Sequence, residues 1–179
     1  IAVASQRMDQ MIEDILAYSR AQMRPLKPVR TEVRPLVQQV VSEFEPQLRD
    51  GVELEQDVEA GVLKCDREGL IQILRSFLSN ALKFSRAQTP PRIRIEGRWR
   101  GRDYRFAVSD NGVGFDMRYH DRIFEIFHRL PSVAGQSGTG IGLALTARAA
   151  ERLGGRVWAE SAPGQGATFF FELTGGMQA

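Results

Sequence analysis

The sequence DNGVGF at residues 110–115 decides the fold, because it follows directly on an apolar strand candidate, Tyr104–Ser109. A strand that runs into a Gly-x-Gly turn leaves the carboxylate of Asp110 at the edge of a sheet. The two glycines lack a Cβ, so a flat ligand can come close to the backbone there. This stretch therefore predicts a binding site at the end of a strand.

A second glycine cluster, GTGIGL at residues 138–143, stands directly before a predicted helix. Its glycines expose backbone N–H groups, and the start of a helix adds partial positive charge, so the segment suits an anion. The lysine and the spacing of a P-loop are missing, and no strand precedes the cluster as a Rossmann fold requires. Each glycine cluster alone is a weak signal.

The third motif is SFLSNALKF at residues 76–84, on a long predicted helix. Asn80 and Lys83 stand at positions i and i+3 and share one face, with Ser76 one turn earlier. A neutral oxygen ligand beside a cation suits a magnesium–triphosphate group, because Mg²⁺ takes oxygen ligands and keeps its waters. For this segment alone, a solvated polar stripe on an amphipathic helix is the stronger interpretation.

The segments around these motifs predict one α+β domain after Pro28. Apolar runs bounded by turns predict strands, and apolar residues at three- and four-residue spacing predict helices. Asp66 is expected to cap the longest helix, and Val52–Leu54 alternates with acids as an edge strand does. The predicted strands are Val29–Val33, Val52–Leu54, Gly61–Cys65, Arg92–Glu96, Tyr104–Ser109, Arg156–Glu160 and Ala167–Leu173, and the predicted helices are Pro35–Arg49, Arg67–Phe84, His120–Phe127 and Gly142–Leu153.

Composition limits the class of protein. The 179 residues allow one domain with a short extra element, and 42% apolar with 26% charged residues is ordinary for a globular chain. No apolar run approaches the roughly 20 residues of a membrane span, so no membrane contact is expected. The single cysteine, Cys65, excludes an internal disulfide and favours a reducing compartment such as the cytoplasm.

Charge is balanced overall but uneven along the chain. The net charge is +2, while nine acids lie between Glu43 and Glu68 and seven arginines between Arg86 and Arg105. The alternating arginines of residues 92–100 are interpreted as the solvent side of a hairpin over Ile93, Ile95 and Trp99. Because exposed aromatic residues are not interleaved with them, we expect no nucleic-acid partner.

The first segment, Ile1–Met23, predicts a helix with the apolar rhythm of helix bundles. About three heptads are marginal for a free helix, so it needs a partner. The spacing alone does not decide between two interpretations: the helix folds back on its own domain, or it is one helix of an intermolecular bundle.

In this order the motifs resemble those of the sensor histidine kinases. NALKF at 80–84 resembles their N box, DNGVG at 110–114 the first glycine box, IFEIF at 123–127 the F box, and GTGIGL at 138–143 the second glycine box. The closing strands, with GGRVW at 154–158 and GQGATF at 164–169, are also similar. The match covers about residues 35–173, and the sequence around residues 115–117 and 127–130 is most similar to phytochrome-type and related soluble-sensor kinases.

The resemblance implies the Bergerat fold, a two-layer α/β sandwich of the α+β class with helices on one face of a mixed sheet. One long helix from a dimerisation hairpin would precede it. The implied division of the chain gives residues 1–24 to the second helix of that hairpin, 25–34 to a linker and first strand, 35–174 to the ATP-binding catalytic domain and 175–179 to a tail.

The resemblance also implies ATP and Mg²⁺ as cofactors. Asp110 would accept a hydrogen bond from the adenine amino group, Asn80 would hold the metal, and Lys83 would contact phosphate. Residues 116–139 would form a mobile lid. Ser76 departs from the asparagine of many family members, and weaker binding is expected from it. The expected ATP-binding residues are Ser76, Asn80, Lys83, Phe84, Asp110, Gly112, Gly114, Phe115, Arg129, Gly138, Thr139, Gly140, Gly142, Leu143 and Thr168, of which Thr168, Phe115, Leu143 and Phe84 would surround the adenine.

The family's phosphate acceptor is a histidine followed by an acid, on the first helix of the hairpin. The histidines here, His120 and His128, both fall in the lid region without that context. We therefore expect the acceptor helix upstream of Ile1, no catalytic residue within the chain, and no self-phosphorylation.

The implied function is the catalytic part of a two-component sensor histidine kinase, with a homodimer through residues 1–24 and a response regulator receiver domain as partners. The alternative is a degenerate module that serves as a dimerising scaffold, which only Ser76 supports. A clamp ATPase of the gyrase, mismatch-repair or chaperone type is disfavoured, because the helix Ile71–Phe84 lacks the required glutamate. Anti-sigma-factor kinases share the fold but would not need the heptad helix.

Overall fold

A computed structural model describes Ile12, Leu16, residues 25–128 and residues 140–175 of the chain. Ile12 and Leu16 are helical and exposed. The rest of the helix predicted for residues 1–23 lies outside the described residues. Three expected site residues, Arg129, Gly138 and Thr139, also lie outside them.

The elements of the described chain follow the order expected for an α+β domain. Pairs of strands alternate with helices, and two short 3₁₀ turns lie between residues 110 and 128. The elements are β1 (Pro28–Glu32), α1 (Val33–Glu43), α2 (Glu45–Leu48), β2 (Glu53–Val58), β3 (Val62–Asp66), α3 (Arg67–Ser85), β4 (Arg92–Arg100), β5 (Asp103–Asp110), the 3₁₀ turns Met117–Tyr119 and Arg122–Phe124, α4 (Gly142–Arg152), β6 (Gly155–Ser161) and β7 (Ala167–Leu173).

The main sheet has five strands in the order β2-β4-β5-β7-β6. Strands β2 and β4 are parallel, and the other neighbours are antiparallel. Strands β1 and β3 form a separate antiparallel pair. The predicted mixed sheet with helices on one face is confirmed, and β2 lies at the sheet edge as its alternating acids predicted.

The core lies between the sheet and the helices. Alternate residues of β5 and β7 face the helices, and Phe106 and Phe169 among them are at most 4% exposed. Phe77 of α3 is fully buried with its ring centroid 5.5 Å from that of Phe169. Each side chain buried in this way stabilises the fold by about 2 kcal/mol, which fixes α3 against the middle of the sheet.

The side chain of Asp66 caps α3 as predicted, because its Oδ1 accepts a hydrogen bond of 2.9 Å from the N–H of Gly69.

Helix α1 begins at Val33, two residues before the predicted start at Pro35, and the Val33 N–H donates to the carbonyl of Gly61 at 3.0 Å. It ends at Glu43, and the proline of α2 starts a new short helix instead of continuing the old one.

The prediction of a helix near residues 120–127 is wrong. The chain forms two 3₁₀ turns there, and the Asp116 carboxylate accepts the Arg118 N–H at 2.9 Å at the start of the first. Phe127 adopts a left-handed φ of 63° and donates its N–H to the carbonyl of Gly140 at 3.1 Å. A long-range contact thus replaces the helical hydrogen bond that local sequence favours.

The uneven charge of the sequence is balanced across the sheet. The parallel register places Glu53 opposite Arg92 and Glu55 opposite Arg94, and both pairs form salt bridges. Asp57 also contacts Arg94, at 3.6 Å. The acidic edge strand therefore neutralises the arginine-rich strand beside it, on the face of the sheet that carries no helices.

A second charged cluster ties β5, β6 and β7 together on that same open face. Glu172 is 6% exposed, its Oε2 accepts two hydrogen bonds from Arg105, and its Oε1 accepts two from Arg156. Both guanidinium groups also lie about 5 Å from the ring of Trp158, which stacks on Phe170.

In the described part of the chain, no helix is both long and apolar enough to cross a membrane.

Candidate functional site

Asp110 lies at the carboxyl end of β5, at the centre of the candidate site. Its Oδ1 accepts a hydrogen bond of 2.7 Å from the N–H of Gly112. Burial raises the pKa of the carboxyl group to about 6, against the opposing effect of hydrogen bonds from the backbone of Gly112 and Ala167. A half-buried carboxylate at the end of the central strand is a strong acceptor for an N–H group of a ligand.

The glycine turn after Asp110 is held between two other segments. A Cβ on Gly112 would overlap the carbonyl of Phe84, and the Val113 N–H donates to that same carbonyl at 3.3 Å. Gly114 has a φ of 59°, and a Cβ there would overlap the carbonyl oxygen of Ala162. Only glycine therefore fits at these two positions, and the turn rests on the last turns of α3.

The expected metal and phosphate residues lie along α3. Asn80 and Lys83 are half-buried, and the ammonium group of Lys83 lies 4.5 Å from the centre of the Phe84 ring. Lys83 and Phe84 also border a cleft of about 870 Å³ on the side of α3 that faces Phe44. Lys83 and Phe84 therefore stand near the carboxyl end of α3, where the turn after Asp110 contacts the carbonyl of Phe84, and Asn80 lies one turn earlier on the helix.

The second glycine cluster meets α3 at Ser76. Its hydroxyl donates to the carbonyl of Gly142 at 3.5 Å, and Thr146 donates to the same carbonyl at 2.9 Å. Gly140 has a φ of 75°, and α4 begins at Gly142. Among the described residues no side chain caps this helix, so its first N–H groups can donate to an anion at the helix start.

The donors present fit a magnesium ion that arrives with a nucleotide. Among the described residues, no group of three or more His, Cys, Asp or Glu side chains could hold a metal. Asn80 offers one neutral oxygen, and Mg²⁺ commonly takes few protein ligands, completing its coordination with phosphates and water.

Two residues expected beside the adenine, Phe115 and Thr168, do not line an open pocket next to Asp110 in the structure. Phe115 is 6% exposed and packs on Phe169 with ring centroids 6.3 Å apart. Thr168 lies on the open face of the sheet, with its hydroxyl 2.9 Å from that of Ser109. The residue paired with Asp110 is Ala167, so the structure does not bring the Thr168 side chain to the Asp110 carboxylate.

Leu143 is partly buried against the core at the start of α4. Its contact with a base, like the nucleotide roles of the other expected residues, stays a prediction.

Sequence reasoning missed two polar side chains that hold the site. Asn111 accepts the N–H of Arg92 at 2.8 Å and donates to the carbonyl of Pro90 at 3.0 Å. Ser161 bonds the backbones of Phe115 and Gly166. The Asp-Asn-Gly run is a recognisable turn signal for Asn111, whereas Ser161 is distant in sequence and carries no local signal.

Both histidines lie against other parts of the domain. His120 Nε2 accepts the Ala159 N–H of edge strand β6 at 3.3 Å, and its Nδ1 lies 2.9 Å from the carboxylate of Asp121. His128 is half-buried beside Gly140. Neither lies on a helix of the described chain.

Comparison with known proteins places this arrangement in a family. Residues 65–175 match the family described as the histidine kinase-, DNA gyrase B- and HSP90-like ATPases. Because the match covers more than half of the chain, the chain belongs to this family.

The homologues of this chain identify it more closely as the catalytic domain of a sensor histidine kinase. The chain is 33% identical over 167 residues to the phytochrome-like protein Cph1 of Synechocystis, covering 93% of this chain and 22% of that protein. The structure of full-length ShkA in complex with AMPPNP is 28% identical with a TM-score of 0.79, over 95% of this chain and 36% of that one. Histidine kinase ThkA in complex with the response regulator protein TrrA has the same fold, with 20% identity and a TM-score of 0.77, over 97% of this chain and 49% of that one. The chain spans about a fifth of the length of the curated relatives it matches.

Proposed function

We propose that this domain binds ATP with Mg²⁺ and transfers the γ-phosphate to a histidine on a dimerisation helix outside these 179 residues. The observation that carries the proposal is that two glycine segments meet the carboxyl-terminal half of α3, between Ser76 and Phe84. The Asp110 turn rests on Phe84, the second glycine cluster meets Ser76, and Asn80 and Lys83 lie between them in the sequence of the helix. Family membership and the AMPPNP bound by ShkA support a nucleotide as the ligand.

Each part of the site has a role in binding. The Asp110 carboxylate accepts the amino group of adenine, and the N–H groups at the start of α4 donate to phosphate oxygens. Lys83 neutralises phosphate charge, and Asn80 offers an oxygen to the magnesium ion. When bound, Mg²⁺ supplies neutralisation of the charge on the transferred phosphate.

Phosphate transfer of this kind needs positioning and charge neutralisation more than covalent chemistry from the protein. The described residues supply the base acceptor, a cation and the helix start. The nucleophile belongs to the acceptor histidine, and we infer that His120 and His128 do not serve as acceptors. His120 is engaged by Ala159 and Asp121, and both histidines lie in the segment that the resemblance assigns to the lid.

Calorimetry with MgATP tests the binding step. We expect a dissociation constant in the micromolar to sub-millimolar range, about −5 to −8 kcal/mol. Asn80→Ala is expected to remove the magnesium dependence, whereas Ser79→Ala, an exposed neighbour on the same helix, should leave it unchanged. Absence of heat and of a thermal shift at millimolar MgATP would overturn the proposal in favour of a signalling scaffold.

Labelled ATP tests the transfer step. The chain alone should not become labelled, whereas a separate protein that carries the complete helical hairpin should acquire acid-labile, alkali-stable label on its histidine. Lys83→Ala should slow the transfer through lost neutralisation of phosphate. Label on His120 or His128 would show that the lid is the acceptor and would overturn this part of the proposal.

A dimerising scaffold without kinase activity is the second candidate. The observation that favours it is Ser76, whose hydroxyl is already bonded to Gly142. By the family resemblance, many members have asparagine at this position.

In the proposed function, a response regulator receiver domain accepts the phosphate, as the complex of ThkA with TrrA supports. Residues 1–24 mediate a homodimer in this proposal.

A further inference from the structure

Ser161 joins the two glycine turns that enclose Asp110. Its Oγ accepts a hydrogen bond of 2.8 Å from the N–H of Phe115 and donates one of 2.7 Å to the carbonyl of Gly166. Phe115 closes the turn that follows Asp110, and Gly166 closes the turn that leads into β7. One hydroxyl therefore uses both its donor and its acceptor capacity to connect segments about 50 residues apart in sequence.

The two turns pack backbone against backbone. Gly166 has a φ of 79°, and a Cβ there would overlap the carbonyl oxygen of Asp110. The Gly164 N–H donates to the carbonyl of Val113 at 2.7 Å, which forms a second connection beside the one through Ser161. Because no side chain separates the turns, a small movement of one turn moves the other.

Ser161 makes no contact with the Asp110 carboxylate itself. The Oδ1 atom of Asp110 is held by the N–H of Gly112, so its position depends on the path of the backbone from 110 to 115. Phe115 ends that path with its ring buried against Phe169 and its N–H on Ser161. The hydroxyl therefore controls the far end of the turn that carries the carboxylate.

We propose that Ser161 is a positioning residue for base recognition, whose hydroxyl holds the two glycine turns so that the Asp110 carboxylate meets the amino group of adenine. This inference rests on the proposed function. A carboxylate accepts a hydrogen bond from the amino group of adenine, whereas guanine presents a carbonyl oxygen at the same position and is repelled. The choice between the two bases therefore depends on where the carboxylate is held.

The test compares the affinities of ATP and GTP by calorimetry on the full chain, well below the midpoint of thermal unfolding. Ser161→Ala is expected to weaken ATP binding about tenfold while GTP binding changes less than about twofold. Ser161→Thr keeps the hydroxyl and should restore the selectivity for ATP. The matched control is Ser109→Ala, which removes the hydroxyl bonded to Thr168 on the opposite face of the sheet and should not change the ratio.

A double-mutant cycle shows whether Ser161 acts through Asp110. If it does, adding Ser161→Ala to Asp110→Asn should cost no further ATP affinity. Additive losses, or equal losses for ATP and GTP, would overturn the inference and leave Ser161 with a structural role. If the alanine variant does not fold, Ser161→Cys, whose thiol is a weak donor, must show the same loss of selectivity, and unchanged selectivity in that variant overturns the inference. No ATP binding by the unmodified chain would instead overturn the proposed function itself.

Discussion

Asp110→Asn is expected to stabilise the unliganded domain at neutral pH and to weaken its binding of ATP under the same conditions. The structure gives the reason for both effects. Burial raises the pKa of this carboxyl group from 3.8 to about 6, so its charged form is less favourable in the folded chain than in the unfolded chain. The same charge is the proposed acceptor for adenine.

The magnitude follows from the shift in pKa. A rise from 3.8 to about 6 corresponds to at most about 3 kcal/mol of lost stability once the group is ionised. Asparagine keeps the shape and can still accept the N–H of Gly112, but its NH2 group is a new donor in a half-buried place, at a cost of about 1 kcal/mol when it is not fully paired. We therefore expect a net stabilisation of about 1–2 kcal/mol.

The direction with pH is fixed by linkage. Between about pH 4 and pH 6 the folded chain binds more protons at Asp110 than the unfolded chain, so the contribution of this group to stability falls as pH rises. The stability difference between Asp110→Asn and the unmodified chain should grow across this window and become constant above it. ATP affinity of the unmodified chain should fall below about pH 6, because the protonated carboxyl group is a poorer acceptor.

Urea denaturation of both proteins at about pH 4.5, 5.5, 6.5 and 7.5 measures the difference in unfolding free energy. Asp116→Asn is a control of opposite sign, because the backbone N–H and side chain of Arg118 lower the pKa of Asp116. Its loss of stability should appear only at the higher pH values. A difference for Asp110→Asn that stays constant with pH, or a less stable variant at pH 7.5, would refute the reasoning.

Three further predictions follow from single contacts. Gly166→Ala should destabilise the fold by more than about 3 kcal/mol and abolish ATP binding, because its Cβ overlaps the backbone of Asp110, whereas Gly164→Ala, at φ 75° with no atom within 4 Å, should cost about 1 kcal/mol; equal urea midpoints for the two would contradict this. Glu172→Ala should cost about 2 kcal/mol in urea denaturation, since it leaves two arginines without their shared carboxylate, and a loss below the error of the measurement would show that the cluster is replaced by water. Cys65 is 4% exposed, and burial raises the pKa of its thiol to about 11, so it should react with a thiol reagent only after unfolding. Rapid labelling of the folded chain would show that the core around Cys65 opens.

Local sequence was sufficient for most elements of the domain. The alternation in β4 and β5, the capping aspartate before α3 and the apolar face of that helix predicted those elements, because each signal lies within a few residues of the element that it forms. The glycine turn after Asp110 was predicted for the same reason. Its two glycines are needed because of the backbone carbonyls of Phe84 and Ala162, which the sequence alone could not identify.

The structure brings some of the expected site residues together, while their roles stay predictions. The turn after Asp110 contacts α3 at Phe84, and Gly142 contacts it at Ser76. Thr168 was assigned to the adenine pocket by its motif, but strand alternation turns its side chain to the open face, since its neighbour Ala167 pairs with Asp110.

Tertiary structure alone decided the remaining features, because they depend on which distant segments meet. The acids of β2 and the arginines of β4 are uneven runs in the sequence, and only their parallel register makes them partners. The segment near residue 120 was expected to be helical from its local pattern, yet contacts with β6 and Gly140 hold it in short turns. The raised pKa of Asp110 and the bridge through Ser161 likewise arise from burial and from contacts across about 50 residues, which no local pattern records.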